Sequence, residues 1–168
     1  MTNYKPTLQE CAMRYGTGMG LLWAFKFMLF PLGLRIPFLQ LLFIVLTIGV
    51  PFLGYIFAKK FTFSRAFLFT TFMYMFASLF VAVVHYIYFR YIDGGFVFEA
   101  YRSILNQFKE TAGAELTTSL NQFEEAIDLL SGLTPLEMTF QLISQNMFYG
   151  MLMAIPTALI VMRKKKNE

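Results

Sequence analysis

The chain has 168 residues, 57% hydrophobic and 14% charged, against about 45–50% and about 25% in an ordinary soluble domain. Its formal charge is +4, but the basic residues sit at the ends of apolar blocks: Lys59, Lys60 and Arg65, then Arg163, Lys164, Lys165 and Lys166. That placement excludes a basic nucleic-acid face and points to a polytopic membrane protein.

Thr7-Leu8-Gln9-Glu10 fits a capping box, a hydroxyl and a carboxylate satisfying each other's backbone N–H. It opens a first helix expected to run to about Phe30, with its apolar part over residues 12–32. No small-x-small cleavage site follows, so the stretch is expected to remain as a span. Its lone cysteine, Cys11, allows no intrachain disulfide and reads as a small buried hydrophobe. Pro31, Gly33 and Pro37 mark a short turn. A second span covers residues 36–58, since about 20 residues rising about 1.5 Å each cross a core of about 30 Å. Pro51 within it predicts a kink.

Residues 59–65 form a short basic loop, and the third span covers 66–91. It ends in Tyr86, Tyr88, Phe89 and Tyr91, aromatics suited to the headgroup boundary. Asp93-Gly94-Gly95 breaks the helix, and Gly132 reads as a helix C′ residue. Thr134-Pro135-Leu136-Glu137 is a second capping box with proline at the first helical position. A fourth span follows over 138–162. The fold expected is all-α, a polytopic membrane protein of four transmembrane helices. An amphipathic helical hairpin, residues 93–135, lies between spans three and four.

Lys and Arg are concentrated in the 59–65 loop and the C-terminal tail. The positive-inside rule therefore predicts that both termini and that loop are cytoplasmic and that the insert faces outward.

Residues 90–137 hold eight of the ten acidic residues against three basic ones. Tyr101, Leu105, Phe108, Ala112, Leu116, Leu120, Phe123, Ile127 and Leu130 recur at about 3.6 residues, the helical period. One helix over 101–130 would be about 44 Å long, whereas bundled helices lie only about 8–10 Å apart. Either the helix breaks and doubles back or span four packs into another protomer. Ala112-Gly113-Ala114 is the natural break, and two antiparallel helices, about 96–111 and 115–130, are the favoured reading. The acidic polar face argues against docking on anionic lipid. The stripe either folds inward or presents Tyr101, Phe108, Leu116, Leu120, Phe123 and Ile127 to a protein partner or a second copy.

Inside the bilayer, spans two to four carry no Asp, Glu, Lys or Arg in their cores, which weighs against ion-coupled transport. Arg14 and Lys26 flank the first span and are expected to snorkel toward opposite interfaces. His85, the only histidine, cannot build a four-ligand metal site with one distant Cys. No Ser–His–Asp set is visible, and neither catalytic residues nor a cofactor are expected. Gln141, Gln145 and Asn146 with His85 form a candidate polar intramembrane cluster. Two rows of small residues, Ala12, Gly16, Gly20, Ala24 and Asn146, Gly150, Ala154, Ala158, predict close packing of spans one and four. The run Phe72-Met73-Tyr74-Met75-Phe76 reads as polarizable filler.

Several of these features together resemble a family of small four-span bacterial membrane proteins, chiefly of Bacteroidota, described as a domain of unknown function. They are the glycines at Gly16 and Gly20, a basic turn before span three and a Tyr-rich end at Tyr86, Tyr88 and Tyr91. The long outward insert and the final span with Asn146 and Gly150 before a Lys-rich end complete the match, which covers nearly the whole chain. The resemblance implies an inner-membrane location and carries over no catalytic or binding residues.

The function expected is a non-enzymatic accessory or assembly factor that contacts a partner through the acidic insert, with no nucleic-acid partner. The competing expectation is an oligomeric transporter or channel for a small neutral or cationic solute, lined by His85, Gln141, Gln145 and Asn146.

Overall fold

The computed structural model describes residues 6–111 and 114–166. Among the described residues six α-helices follow one another: α1 Leu8–Arg35, α2 Pro37–Ala58, α3 Phe63–Ile87, α4 Phe96–Thr111, α5 Ala114–Ser131 and α6 Pro135–Lys166. No strand occurs among the described residues. α1, α2, α3 and α6 are each long and apolar enough to cross a membrane, so the protein is a multi-pass, all-α membrane protein. The chain divides into two compact units, residues 1–84 with 142–168, and residues 85–141.

The helix starts follow local chemistry. At α1, the Thr7 hydroxyl accepts from the Glu10 N–H (3.2 Å) while the Glu10 carboxylate accepts from the Thr7 N–H (2.7 Å). At α6, Thr134 and Glu137 repeat the arrangement at 2.8 and 3.3 Å. Both boxes are legible from residue spacing alone because each involves only four consecutive residues.

The first turn lies later than the sequence suggests. α1 runs through Pro31 and Gly33 to Arg35, and the break falls at Ile36 (φ −128°, ψ 98°). Ile36 leaves the helical region directly before Pro37, as residues preceding proline favour, whereas the helix carries Pro31 in its interior without a break. Pro37 then opens α2, where its missing N–H costs nothing. The tight turn requires Gly33: a Cβ there would sit 2.9 Å from Gln40 Cγ and 3.2 Å from Gln40 N. α1 and α2 pair antiparallel, with Phe30 against Phe43 (5.8 Å between centroids) at one end and Tyr15 against Phe57 (4.7 Å) at the other.

The core of the first unit centres on α3. Phe69, Thr70, Met73, Tyr74, Ala77, Ser78 and Val81 are all essentially inaccessible. Met73 and Tyr74 are therefore core residues with defined neighbours. Trp23 of α1 stacks on Tyr74 at 5.4 Å, and Tyr149 of α6 meets Tyr74 edge-on at 6.1 Å. α2, by contrast, leaves Phe38, Leu41, Ile44, Val45, Ile48 and Phe52 exposed, a surface suited to lipid.

Gly132 follows the last residue of α5 as expected, yet it does not adopt the left-handed conformation of a C′ cap. Among the described residues only Gly94 and Gly95 have positive φ. The Gly132 N–H continues the helical pattern to the Asp128 carbonyl (3.2 Å), which removes the need for a reversal.

Candidate functional site

The second unit begins where α3 ends. Residues Tyr88–Ile92 form one wider π turn, closed by the Asp93 N–H on the Tyr88 carbonyl (2.9 Å). Gly94 (φ 56°) and Gly95 (φ 90°) then reverse the chain in a conformation that side chains resist. The buried Asp93 carboxylate holds the turn, accepting from Gly95 N (3.0 Å) and Val97 N (3.2 Å). It thereby caps the first turn of α4. The sequence marks this break, although the capping role of Asp93 emerges only from the geometry.

α4 and α5 pair antiparallel. Arg102 reaches Asp128 (2.9 Å) and the Ser131 hydroxyl (3.0 Å), and Lys109 reaches Glu124 (2.6 Å). These links give a hairpin of helices 96–111 and 114–131, the favoured of the two arrangements that the length argument allows. The expected break at Gly113 lies outside the described residues. The Arg102–Asp128 pair is open to solvent, at 42% and 62% exposure, so water screens it. Arg102→Ala is expected to weaken the hairpin by only about 0.5 kcal/mol, checked by amide exchange in α4 and α5.

The apolar stripe does not close on itself. Leu105 and Val97 are buried, but Phe108, Leu116 and Phe123 stand 60%, 58% and 64% exposed, with Tyr101 at 38%. Leu120 and Ile127 are half-buried. Leu129, outside the stripe predicted from periodicity, is the most exposed of the hairpin's large apolar side chains at 76%. Partial burial raises the Tyr101 hydroxyl above the ordinary tyrosine pKa. Two of the three cations of residues 90–137, Arg102 and Lys109, are engaged within the hairpin. The surface left around the stripe is therefore acidic.

The polar cluster expected in the spans is divided between the units. His85 is buried and Gln141 exposed in the second; in the first, Gln145 is exposed and Asn146 half-buried. Lys26 lies with its ammonium 5.2 Å from the Phe43 ring, at the level of Phe30 and so toward the α1–α2 turn. Among the described residues, no group of three or more His, Cys, Asp or Glu is placed to hold a metal ion.

The small-residue rows mark close approaches, but with a different partner from the one the pattern suggests. A Cβ on Gly16 would lie 2.7 Å from Phe76 Cβ and 2.8 Å from the Met73 carbonyl oxygen. On Gly20 it would lie 2.8 Å from Phe80 Cβ, and on Gly150 it would overlap Tyr74 Cβ and sit 3.0 Å from Tyr74 Cγ. All three glycines pack on α3. Ala154 and Ala158 of α6 are fully buried in the same unit. Spans one and four thus each approach the central helix, since a small-residue row permits a close neighbour without selecting it.

Sequence reasoning missed the buried polar atoms beside these contacts. Trp23 Nε1, Thr70 Oγ1, Thr71 Oγ1 and the Tyr74 hydroxyl are buried without a hydrogen-bond partner. Tyr74 oxygen lies 3.0 Å from where a Gly54 Cβ would be. The signal was present: Thr70, Tyr74 and Ser78 recur every four residues, a polar row on one face of a span. An unpaired buried hydroxyl costs about 1–3 kcal/mol, so Tyr74→Phe, which keeps the ring, is expected to raise the melting temperature in detergent.

No curated protein and no solved structure matches the chain. The model of the family described as "Protein of unknown function (DUF4199)" matches residues 14–163. That match begins within α1, takes in α2, α3 and the hairpin whole and ends within α6, and the chain belongs to this family.

Proposed function

We propose that the protein is a non-enzymatic accessory or assembly factor of the bacterial inner membrane that binds a protein partner through the α4–α5 hairpin. The observation that carries this reading is the exposed row Phe108, Leu116 and Phe123 on a hairpin already closed by its own ion pairs. Clustered exposed aromatic and aliphatic side chains in an acidic surround suit a partner with an apolar centre and a basic rim. One histidine and one cysteine in the whole sequence leave little material for a thiol nucleophile or a His/Cys metal site.

The Lys and Arg bias supports cytoplasmic termini, a cytoplasmic 59–65 loop and an outward hairpin. In a Cys11→Ser background, Ser103→Cys on α4 should react with an impermeant maleimide in spheroplasts. Ser64→Cys, exposed in the first turn of α3 beside the basic loop, should react only after permeabilisation. The opposite pattern overturns the topology. The partner reading is tested by photocrosslinkers at Phe108 and Phe123, which should capture the same protein. Different products or none from the two positions overturn it.

A further inference from the structure

We propose that the groove between the start of α1 and the end of α2 is a binding site for an anionic phospholipid, a function separate from partner binding by the hairpin. The groove encloses about 290 Å³ and is lined by Arg14, Tyr15, Gly18, Leu22, Leu53 and Phe57 among others. Its floor is apolar, as an acyl chain requires. Gly18 leaves it open, since a Cβ at that position would meet no atom within 4 Å.

Charge stands at one end of the groove only. Arg14 lines it directly, and Lys60, just beyond α2, places its ammonium 5.5 Å from the Tyr15 ring centroid and 5.4 Å from that of Phe61. Tyr15 in turn packs on Phe57 at 4.7 Å, so the aromatic floor and the two cations form one continuous surface. The ring face engages the Lys60 charge but leaves its N–H groups to donate. Arg14 adds a planar fork suited to phosphate oxygens. Both residues lie at the same ends of two antiparallel spans, where a headgroup would rest while its chain runs inward past Gly18 and Leu22.

A second groove, between α2 and α6, shows what a site without such selection looks like. It is larger, about 470 Å³, and is lined by Pro51, Tyr55, Pro156 and Thr157 among others, none of them charged. Nothing there distinguishes one headgroup from another. The basic end of the α1–α2 groove does, and charge complementarity names an anionic lipid.

The test uses full-length protein purified in mild detergent, with native mass spectrometry of adducts formed with phosphatidylglycerol or with phosphatidylcholine. Phosphatidylglycerol should be retained preferentially, and excess inorganic phosphate should not displace it. Arg14→Gln with Lys60→Gln should lower its retention about thirty-fold, since each basic group at an anionic surface contributes roughly a factor of five. Gly18→Leu keeps both charges, fills the open space and should also abolish retention. Arg163→Gln, at the far end of α6, serves as a control and should leave it unchanged. Equal retention of the two lipids, displacement by phosphate, or an undiminished adduct in the Gly18→Leu protein overturns the proposal. The Gly18 variant decides alone if the charge variant does not fold.

Discussion

Gly16→Leu and Gly150→Leu are each expected to abolish recovery of monodisperse protein in detergent, while Gly18→Leu, two residues from Gly16, is expected to be recovered normally. The contrast rests on distance. At Gly16 even a Cβ would meet the Met73 carbonyl at 2.8 Å, and a backbone oxygen in a helix cannot swing aside. At Gly150 the added atoms would occupy the place of Tyr74 Cβ and press its ring, which Trp23 and Tyr149 hold from other sides. Overpacking a filled core costs about 1–3 kcal/mol for small additions, and a leucine adds three atoms beyond the Cβ. Gly18 faces open space. Fluorescence-detected size exclusion reads all three variants. Normal recovery of the Gly16 variant would show that α1 and α3 are not in this close contact.

Phe108→Asp combined with Phe123→Asp is expected to remove the partner while leaving the four spans folded. Both rings are already exposed at 60% and 64%, so the substitutions take little from the folded chain. If the rings are buried in a partner, each is an anchor of the kind whose loss costs about 2 kcal/mol or more, a combined fall in affinity of roughly a thousandfold. The added carboxylates would also oppose the partner's apolar centre. Quantitative co-purification, at the same expression level and with the same elution profile, is the measurement. A partner list unchanged by the double substitution would count against the hairpin as the docking surface.

Helix number and the two capped helix starts are legible in the sequence for local reasons, whereas α3 begins at Phe63, three residues before the span expected from residue 66. The boxes at Thr7–Glu10 and Thr134–Glu137 are complete within four residues. Chain length narrows the insert to a hairpin or a swapped fourth span, and the Arg102–Asp128 and Lys109–Glu124 links give the hairpin. The first turn was misplaced because two prolines and a glycine compete within seven residues. Each proline makes the same steric demand on the residue before it, so residue type alone does not show that the helix continues through Pro31 and breaks at Ile36. Periodicity identified most of the apolar row on the hairpin but not whether it would be covered. Burial of Leu105 beside exposure of Phe108 depends on which neighbours the stripe meets.

An all-helical protein with four membrane-length helices, and a charged helical hairpin between the third and fourth, is written into the order of residues along the chain. Apolar length, caps and breaks are properties of neighbours along the chain. That α3 is the centre of the first unit, and that Gly16, Gly20 and Gly150 all approach it, is visible only in the packed helices. The same packing places Tyr74 between Trp23 and Tyr149. In a membrane every helix face is apolar, so hydrophobic patterning cannot choose between a neighbouring helix and lipid. Shape complementarity across the contact makes that choice, and it is shared between segments far apart in the chain.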